Sequence, residues 1–423
     1  LGGGKFFQPL RSEGEIDWRR RAIYDDTAIL GADTLEASIH GSRTSPATRW
    51  FDYSYRDDTL NQDHEAKVWL DECTNIVWNT IQQSNFNLEV SEGYLDLVSF
   101  GNMTLYHVPN DDLVWEGMEL SSVPLRENYF EEDQTGQPKC YYRLLQWKPS
   151  QIIARFGEDN VPERILRMAE SSVSEKIDLI FCIYTEEANK DADTQMVLSK
   201  EKRPYQYKYI FKDNGEQIGE TGGYYEMPVY AVRWRRTPGS QWGYGPGHIA
   251  ISTTMTLNEM IKMVLEAAEK VIDPASLIQQ RGLLSDLDLQ PGGQIVVKDI
   301  DKSIKAYESG ARFDVSALSV NDLRMMIRRL FHVDQLELKE SPAMSATEVM
   351  VRYELMNRLL GPTMGRLQND LLDPFVNNTF RMLFRAGQLP PAPQSVIDSG
   401  DVFSIEYIGP LNRAQKSDEV ASV

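Results

Sequence analysis

The amino-acid sequence predicts an α+β protein made of several structural units, and three observations support this. The chain has 423 residues, which is more than one hydrophobic core usually organises. Apolar residues recur every three or four positions before residue 100 and after residue 245, which indicates helices. From about Thr104 to Tyr230, short segments rich in Tyr, Val and Ile alternate with turn signals, which indicates strands.

Three helices are predicted ahead of the strand-rich region. They span Glu13 to Ile39, Asp63 to Ser84 and Leu88 to Phe100. Two shorter helices are predicted within the strand-rich region, at Pro149 to Phe156 and Pro162 to Ser172, because each begins with a proline ahead of apolar residues at helical spacing.

Short strands and turns account for the rest of that region. The segments Leu179 to Tyr184, Tyr205 to Phe211 and Val229 to Trp234 have the composition of strands. Asp213-Asn214-Gly215 and Gly222-Gly223 are turn signals between them. The region is therefore predicted to be mostly β-sheet.

A helix, an insertion, a second helix and a loop follow in that order. Gly243 to Gly247 forms a joint ahead of a strongly periodic helix from Ile249 to Asp273. After an insertion, Ser319 is the predicted N-cap of a second helix that continues to Val333. The segment from Asp334 to Met344 has no helical period and is predicted to be a loop.

A very long helix is predicted after this loop. Ser345-Ala346-Thr347-Glu348 is a capping box, and apolar residues keep helical spacing as far as Arg385. Pro362 and Pro374 each remove a ladder hydrogen bond, so the helix is predicted to be kinked. Gly387 marks its end.

The composition restricts the classes of partner. The chain has 44 Lys and Arg against 63 Asp and Glu, a net charge of −19. Such a surface repels nucleic acid and anionic membranes on average, because phosphate binding needs clustered basic residues. No stretch approaches the length of a membrane span. Cys73, Cys140 and Cys182 form no CxxC pair, so buried free thiols in a reducing compartment and an intracellular protein are expected.

No catalytic or metal-binding constellation is present in the sequence. Gly243-x-Gly245-x-Gly247 has the wrong spacing for a phosphate loop, and Pro246 removes one N–H donor that a phosphate would need. The five histidines lack a paired arrangement. Acidic pairs such as Asp286 and Asp288 have no accompanying ligand at metal-binding spacing and are typical of solvated turns. No enzyme activity and no cofactor are predicted from the residues.

Several stretches, taken together in their order and spacing, are similar to one known family. The clearest are Trp50-Phe51, Trp69 to Phe86, Gly93 to Gly101, Gly243 to Gly247, Leu283 to Gly292, Phe331 to Leu336, and Ser345 to Val349 through Leu360-Gly361-Pro362 to Gly387-Gln388-Leu389-Pro390. On these residues the sequence resembles the portal, or head-to-tail connector, proteins of tailed bacteriophages, in particular those of short-tailed phages. The resemblance covers nearly the whole chain.

The resemblance implies a portal fold, with subunits arranged as a ring of twelve around a channel for double-stranded DNA. It assigns residues 1–242 to an α/β wing, 243–273 to the first stem helix, 274–318 to a small α/β clip, 319–333 to the second stem helix, 334–344 to a tunnel loop, 345–387 to the long kinked helix of the wing, and 388–423 to a wing strand and the start of a helical crown. The wing strand is expected between Val402 and Ile408.

The resemblance also implies a structural role without catalysis. The ring is expected at one vertex of the capsid in the virion, after assembly in the host cytoplasm. Expected partners are further copies of the chain, DNA in the channel, the terminase motor, a tail adaptor, and capsid and scaffold proteins, but no membrane. An acidic channel wall would let DNA slide, because few basic contacts would hold its phosphates.

Candidate DNA contacts follow from these assignments. In the tunnel loop, Lys339 is the first candidate, with Glu337 and Glu340 beside it. On the second stem helix, Arg324 and Arg328 lie four residues apart. These two arginines either contact phosphates or pair with the stem-helix residues Glu266 or Glu269 of the same or a neighbouring subunit.

Two positions are candidates for backbone changes. Gly245 and Pro246 form the expected hinge ahead of the first stem helix, and Gly361 and Pro362 the expected kink in the long helix.

Two other classes of protein stay open at this point. One is an acidic hydrolase that uses a carboxylate pair, which predicts a monomer or dimer with a deep cleft. The other is a different structural subunit of the virion, which would oligomerise but lack the loop ahead of the capped helix.

Overall fold

The structure is a computed structural model of the chain. It describes residues 23–110, 115–133, 136, 138–171, 175–189, 198–236, 239–272, 276–278, 304–306, 313–336, 360–399 and 403–407. Helices and antiparallel sheets both contribute to the described chain, which confirms the predicted α+β class.

The described helices begin and end at residues that local chemistry favours. Asp63 caps one helix, because its side chain accepts a hydrogen bond from the Glu65 backbone N–H at 3.2 Å. Gly101 ends the next helix in the left-handed conformation, with φ of 73°. The helices are α1 Thr27–Arg43, α2 Asp58–Gln62, α3 His64–Gln83, α4 Phe86–Phe100, α5 Pro149–Phe156, α6 Glu163–Glu170, α7 Pro246–Ile272, α8 Phe313–Leu330, α9 Val333–Leu336, α10 residues 360–385 and α11 Gln394–Ser399.

The strands form four antiparallel sheets. A five-stranded sheet has the order β4-β5-β6-β7-β8, a three-stranded sheet the order β3-β2-β9, and β1-β12 and β10-β11 form two-stranded sheets. The strands are β1 Phe51–Tyr55, β2 Asn102–Pro109, β3 Met118–Ser122, β4 Asn128–Glu132, β5 Pro138–Trp147, β6 Ile177–Thr185, β7 Tyr205–Phe211, β8 Gln217–Tyr224, β9 Val229–Arg233, β10 Ser276–Ile278, β11 Ile304–Ala306 and β12 Phe403–Tyr407.

The chain divides into two compact units. In unit 1, which contains the described residues of 32–248, 335–336 and 360–407, one face of the five-stranded sheet carries an apolar core. Ile152 of α5 and Ile165 of α6 are almost completely buried in that core. Burial of these two apolar helix faces against the sheet explains why both short helices form where they were predicted.

A second cluster in unit 1 is aromatic and joins distant parts of the sequence. Strand β1 pairs with β12, so that Phe51 lies opposite Tyr407. The Trp50 ring stacks on the Tyr407 ring with centroids 6.2 Å apart, and the Phe86 ring stacks on Phe375 of α10 at 4.6 Å. The strand expected between Val402 and Ile408 is thus present as β12.

The two turn signals of the strand-rich region have different outcomes. Asp213-Asn214-Gly215 does connect β7 to β8, with Gly215 at φ 71°. Gly222-Gly223 is not a turn, because both residues lie inside β8. A side chain at Gly222 would collide with the ring of Tyr207 on the neighbouring strand, so glycine is needed there for space rather than for a turn.

Unit 2 contains residues 23–31 and the described part of 249–334. Helix α8 begins at Phe313 rather than at the predicted N-cap Ser319. No glycine or proline lies between Phe313 and Leu330, and Ala317 and Leu318 favour helix, so the chain enters the helix before the serine. The Ile327 side chain of α8 and the Leu257 side chain of α7 are fully buried.

Candidate functional site

The glycine-rich joint ahead of α7 packs closely against the end of α4. A Cβ atom built on Gly245 would lie 2.7 Å from the Cα atom of Gly101, and one built on Gly243 or Gly247 would collide with the carbonyl oxygen of Gly101 or Ser99. Real Cβ atoms do not approach backbone atoms this closely, so these positions require glycine.

Backbone N–H groups of this joint are already used inside the protein. The Gly243 N–H donates to Asn102 Oδ1 at 2.6 Å, the Tyr244 N–H to the Arg235 carbonyl at 2.9 Å and the His248 N–H to the Gly245 carbonyl at 3.1 Å. A phosphate-binding loop needs free N–H groups, so the joint is structural. Helix α7 begins at Pro246, directly after Gly245, and the hinge expected at these two residues stays a prediction.

Arg324, a candidate phosphate contact, forms an ion pair inside unit 2. Its Nη2 atom lies 2.8 Å from Asp25 Oδ2, and its Nε–H donates to the same oxygen at 2.9 Å. The Asp25 side chain is only 4% exposed, and its carboxylate also accepts a hydrogen bond from the Thr27 N–H at 2.9 Å. Burial acts to raise the pKa of Asp25, but the hydrogen bonds from Thr27 and the charge of Arg324 outweigh it and lower that pKa.

The other candidate arginine is also paired. The Arg328 Nε–H donates to Asp334 Oδ1 at 3.2 Å, and both side chains are exposed. Ion pairing was the alternative to phosphate contact for both arginines, and the carboxylates are Asp25 and Asp334, whereas Glu266 and Glu269 were expected. Arg329 was overlooked in the sequence: it is exposed, and no carboxylate of the described residues pairs with it.

The predicted tunnel loop lies mostly outside the described residues. Glu337, Lys339 and Glu340 all fall there, so their roles stay predictions. The preceding residues, Val333 to Leu336, form a short helix. His332 joins α8 to this helix with a positive φ of 58°, a left-handed conformation that is uncommon for a residue with a side chain.

Helix α10 contains the proline positions predicted to kink it. Gly361 and Pro362 lie at the start of its described part, and the chain is α-helical from residue 360 to residue 367. A π-helical turn follows at Gln368–Leu372, and the helix is again α-helical over Asp373–Arg385. Pro374 comes just after this turn and has no N–H to donate to the carbonyl four residues earlier. The missing hydrogen bond explains why the helix takes in one extra residue as a π turn directly before the proline.

A charged cluster at the end of strand β9 was not found from the sequence. Arg233 is almost completely buried and shares the Glu132 carboxylate with Arg236. Asp370 of the π turn lies near both arginines, and desolvation by burial raises its pKa despite their charge. The cluster joins residues 132, 233 and 370, and such sequence separations explain why local spacing did not reveal it.

The buried histidine of unit 1 has a structural environment. His107 Nδ1 lies 3.0 Å from the Tyr230 hydroxyl, which accepts a hydrogen bond from Asn378 Nδ2 at 2.9 Å. Complete burial lowers the pKa of His107 to about 3. The ring is therefore neutral at physiological pH and links strands β2 and β9 to helix α10.

The described residues meet neither the requirements of a metal site nor those of a membrane-spanning helix. No group of three or more His, Cys, Asp or Glu side chains within them could hold a metal ion. None of their helices is long and apolar enough to cross a membrane. Cys73, Cys140 and Cys182 are free thiols, as predicted, but only Cys73 is buried as expected, and Cys140 and Cys182 are partly exposed.

Comparison with known proteins identifies the family. The family described as bacteriophage head to tail connecting protein matches residues 4–423. The probable portal protein of Bordetella phage BPP-1 is 26% identical over 434 aligned residues, which cover 99% of this chain and 75% of the relative. The portal protein of Salmonella phage epsilon15 is 24% identical over 416 residues, covering 95% of this chain and 72% of the relative. The chain belongs to the bacteriophage head-to-tail connecting proteins.

Proposed function

We propose that this protein is the portal subunit of a tailed phage. Twelve copies form a ring at one vertex of the capsid, and double-stranded DNA passes through the ring during packaging and ejection. The ring is also the docking site for the terminase motor during filling and for a tail adaptor afterwards. The protein acts through geometry and charge and catalyses no reaction.

The observation that carries this proposal is the family match over residues 4–423, together with two relatives whose names are portal protein. The arrangement of unit 2 supports it. Helix α7 has 27 residues and helix α8 has 18, and they enclose an insertion that contains the antiparallel pair β10–β11. This is the order expected for two stem helices around a clip.

The charges of unit 2 also suit a conduit. DNA carries a dense row of phosphates, and every unpaired arginine on the channel wall would hold it. Arg324 and Arg328 form ion pairs with Asp25 and Asp334, which leaves Arg329 as an exposed arginine of α8 without a carboxylate partner among the described residues. With a net charge of −19 for each chain, the average potential of a ring repels phosphates, and that favours sliding over tight binding of DNA.

The remaining assignments follow from a portal role. The clip, residues 274–318, contacts the motor and the adaptor, while the wing contacts capsid and scaffold proteins. The ring belongs to the virion, and its subunits assemble in the host cytoplasm. Lys339, with Glu337 and Glu340, contacts DNA from the tunnel loop. The backbone changes conformation at two places: at the hinge formed by Gly245 and Pro246, and at the kink formed by Gly361 and Pro362.

Native mass spectrometry and negative-stain microscopy of the purified protein test the proposal. A closed ring of about twelve copies with an axial hole is the expected result. A monomer or dimer with a cleft would favour a hydrolase, and an open or shell-like assembly would favour another virion subunit. Either of these results would overturn the portal assignment.

Deletion of the clip tests its docking role separately. A chain lacking residues 274–312, with α7 and the whole of α8 (Phe313–Leu330) joined by a short linker, is expected to form rings but to lose binding to purified terminase and tail adaptor. Unchanged binding of both partners would show that the clip is not the docking site.

A further inference from the structure

A cavity of 420 Å³ lies in unit 1, between helix α10 and the strands that face it. Four residues of α10 line one side of this α10 cavity, and they are three or four positions apart, so they share one face of the helix. They are Asp370, Pro374, Asn378 and Arg381. Tyr205 at the start of β7 and Val229 at the start of β9 belong to the opposite wall. The volume falls in the range of about 300–1,000 Å³ that ligand pockets have.

Several polar groups of the α10 cavity are already used inside the protein. Arg385 donates to the two carboxylate oxygens of Glu226 at 2.6 Å and 2.7 Å. Asn378 Nδ2 donates to the Tyr230 hydroxyl at 2.9 Å and to the Met227 carbonyl at 3.4 Å. These bonds hold α10 against the connection between β8 and β9, so they shape the cavity and leave other groups to meet a ligand.

Three polar groups of the cavity are unused. The Arg381 guanidinium, the Tyr205 hydroxyl and the Asp370 carboxylate form no hydrogen bond or ion pair with any of the described residues. Burial raises the pKa of Tyr205, the charge of Glu226 adds to this, and the charge of Arg381 opposes it. Arg381 is therefore near the Tyr205 hydroxyl. The cavity offers two unused donor groups close together and one unused acceptor group.

The acceptor lies some distance from the donors. Arg381 comes 11 residues after Asp370, which is about 16 Å along the helix axis. An extended peptide covers this distance with about five residues. A peptide also supplies backbone N–H groups for the Asp370 carboxylate, and an acidic side chain for the Arg381 guanidinium and the Tyr205 hydroxyl. Inorganic phosphate fits less well, because it mainly accepts hydrogen bonds and carries charge that Asp370 repels.

The charges around the α10 cavity have a positive sum, whereas the whole chain has a net charge of −19. The groups that line the cavity, or that interact with a lining residue or its partner, are six arginines and three carboxylates, 6 − 3 = +3. They are Arg203, Arg233, Arg236, Arg366, Arg381 and Arg385, with Glu132, Glu226 and Asp370. A positive region in an acidic protein favours an anionic ligand.

We propose that the α10 cavity binds a short, extended, acidic segment of a partner protein. Arg381 is the anchor for the carboxylate of that segment, and Tyr205 is the second donor. Asp370 accepts a hydrogen bond from the backbone of the segment, while Val229 and Pro374 contact its apolar side chains. The inference goes beyond the proposed portal function, which gives this cavity no role, and it needs only unit 1 of a single chain.

Fluorescence anisotropy with labelled synthetic peptides tests this proposal on the full chain. Two probes are six-residue peptides of leucine, alanine and proline with one glutamate, which is the last residue in one probe and the first in the other. Both peptide ends are blocked, so that the glutamate is the only anionic group of the peptide. Matched peptides carry glutamine instead. At least one glutamate probe is expected to bind about tenfold more tightly than its glutamine match, and to bind more weakly as salt is added.

Substitutions in the protein locate the binding site. Arg381→Ala is expected to weaken binding of the glutamate probe about tenfold or more, and Tyr205→Phe, which removes only a hydroxyl, about two- to tenfold. Arg381→Glu is expected to reverse the preference, so that a peptide with lysine in place of glutamate binds instead. Arg329→Ala is the matched control, because Arg329 is an exposed arginine of unit 2 and lies outside the cavity. Thermal unfolding of each variant checks that it is folded.

The outcomes separate this inference from the portal assignment. Equal binding of the glutamate and glutamine peptides, no binding of either glutamate probe at about 1 mM protein, or unchanged binding by Arg381→Ala would each overturn the inference. Stronger competition by inorganic phosphate than by acetate would indicate a phosphate site and would also overturn it. Native mass spectrometry of the same preparation counts the copies in the assembly. A closed ring that binds no probe would remove this inference alone, and probe binding without a ring would remove the portal assignment alone.

Discussion

Gly245 packs backbone to backbone against Gly101: a Cβ atom at Gly245 would lie 2.7 Å from the Gly101 Cα atom. Gly101 itself ends helix α4 with a φ of 73°, and Pro246 begins helix α7. The end of one helix thus fixes the start of another. This contact explains the glycines of the joint by the close approach of two backbone segments, with no need for a bound phosphate.

The first prediction concerns this contact. Gly245→Ala is expected to lower the free energy of unfolding by about 1–3 kcal/mol or more, because the backbone of residue 101 must move to admit a methyl group. Gly361→Ala is the matched control. Gly361 is helical, and no atom of the described residues lies within 4 Å of an added Cβ, so that change is expected to raise stability by up to about 1 kcal/mol.

Urea unfolding at one fixed protein concentration measures both variants, since assembly adds to apparent stability. If Gly245→Ala and wild-type protein have equal free energies of unfolding, the backbone at residue 101 moves to admit the methyl group at no measurable cost. The explanation by close backbone packing would then be wrong. If Gly361→Ala disturbs DNA packaging while raising stability, its role in a kink gains support.

The second prediction concerns the ion pair between Asp25 and Arg324. A double-mutant cycle with Asp25→Ala and Arg324→Ala is expected to give a coupling of about 0.5–1.5 kcal/mol at pH 7, kept small because the Arg324 side chain is 44% exposed. The same cycle on Arg328 and Asp334, whose side chains are 38% and 48% exposed, is expected to give about 0–0.5 kcal/mol.

The coupling of Asp25 and Arg324 depends on pH in a defined direction. The folded protein lowers the pKa of Asp25 below its ordinary value of 3.8. The stabilisation is thus fully present above about that pH and is lost as pH falls further through the folded-state pKa. A cycle measured at pH 3 or below is expected to show weaker coupling, and coupling that stays constant in acid would contradict the assignment.

The third prediction concerns Asp96 on helix α4. Burial, and to a smaller extent the charge of Glu92 one turn away, raise the pKa of Asp96 to about 6. Because the folded protein disfavours the carboxylate, this residue costs stability above pH 6, and the cost disappears as pH falls towards 4. Asp96→Asn is expected to stabilise the protein at pH 8 by on the order of 1–3 kcal/mol.

Urea unfolding of wild-type protein and Asp96→Asn at pH 4.5 and pH 8 checks this expectation. The difference between the two proteins should shrink at the lower pH. Glu92→Gln should keep Asp96 but remove its negative neighbour, and so give a smaller gain at pH 8. A stability difference that is the same at both pH values would rule out titration of Asp96 as its cause.

The fourth prediction concerns the left-handed residue after helix α8. His332 has a φ of 58°, which costs a residue with a Cβ atom about 1–2 kcal/mol. His332→Gly is expected to raise stability by about 0.5–1 kcal/mol, because glycine adopts this conformation without strain but loses more freedom on folding. His332→Ala is the control, since it removes the imidazole and keeps the Cβ atom. Thermal unfolding of His332→Gly below that of His332→Ala would contradict this account.

Turns and helices can be predicted from the sequence, whereas ion pairs between residues far apart in the sequence cannot. The hairpin at Asp213 to Gly215 and the long helix α7 could be predicted, because turn chemistry and helical spacing involve neighbouring residues. The pairing of Arg324 with Asp25 joins residues 299 positions apart, and no local spacing indicates it. The same limit applies to Glu132, Arg233 and Asp370, which come together only through the fold.

Gly222 and Phe313 show two further reasons for error. The Gly222-Gly223 pair predicts a turn, whereas Gly222 lies in a strand and is glycine because the ring of Tyr207 on the next strand occupies the space of a side chain. Helix α8 begins at Phe313, ahead of the good N-cap residue Ser319. Ala317 and Leu318 favour helix, and no glycine or proline between Phe313 and Ser319 ends it. Both errors arise because one residue type serves several structural purposes.

The last prediction concerns Lys339, which we propose lies in the tunnel loop of the portal ring. Lys339→Glu replaces a basic group with an acidic one in every subunit of the ring, where Glu337 and Glu340 already stand beside it. The expected result is normal ring assembly with reduced DNA retention in filled particles, because a cation that contacts phosphates is replaced by a group that repels them. Lys339→Arg keeps the charge and is expected to behave like wild-type protein. Nuclease protection of packaged DNA, measured at two salt concentrations, provides the readout, and unchanged protection in Lys339→Glu would remove this residue from the mechanism.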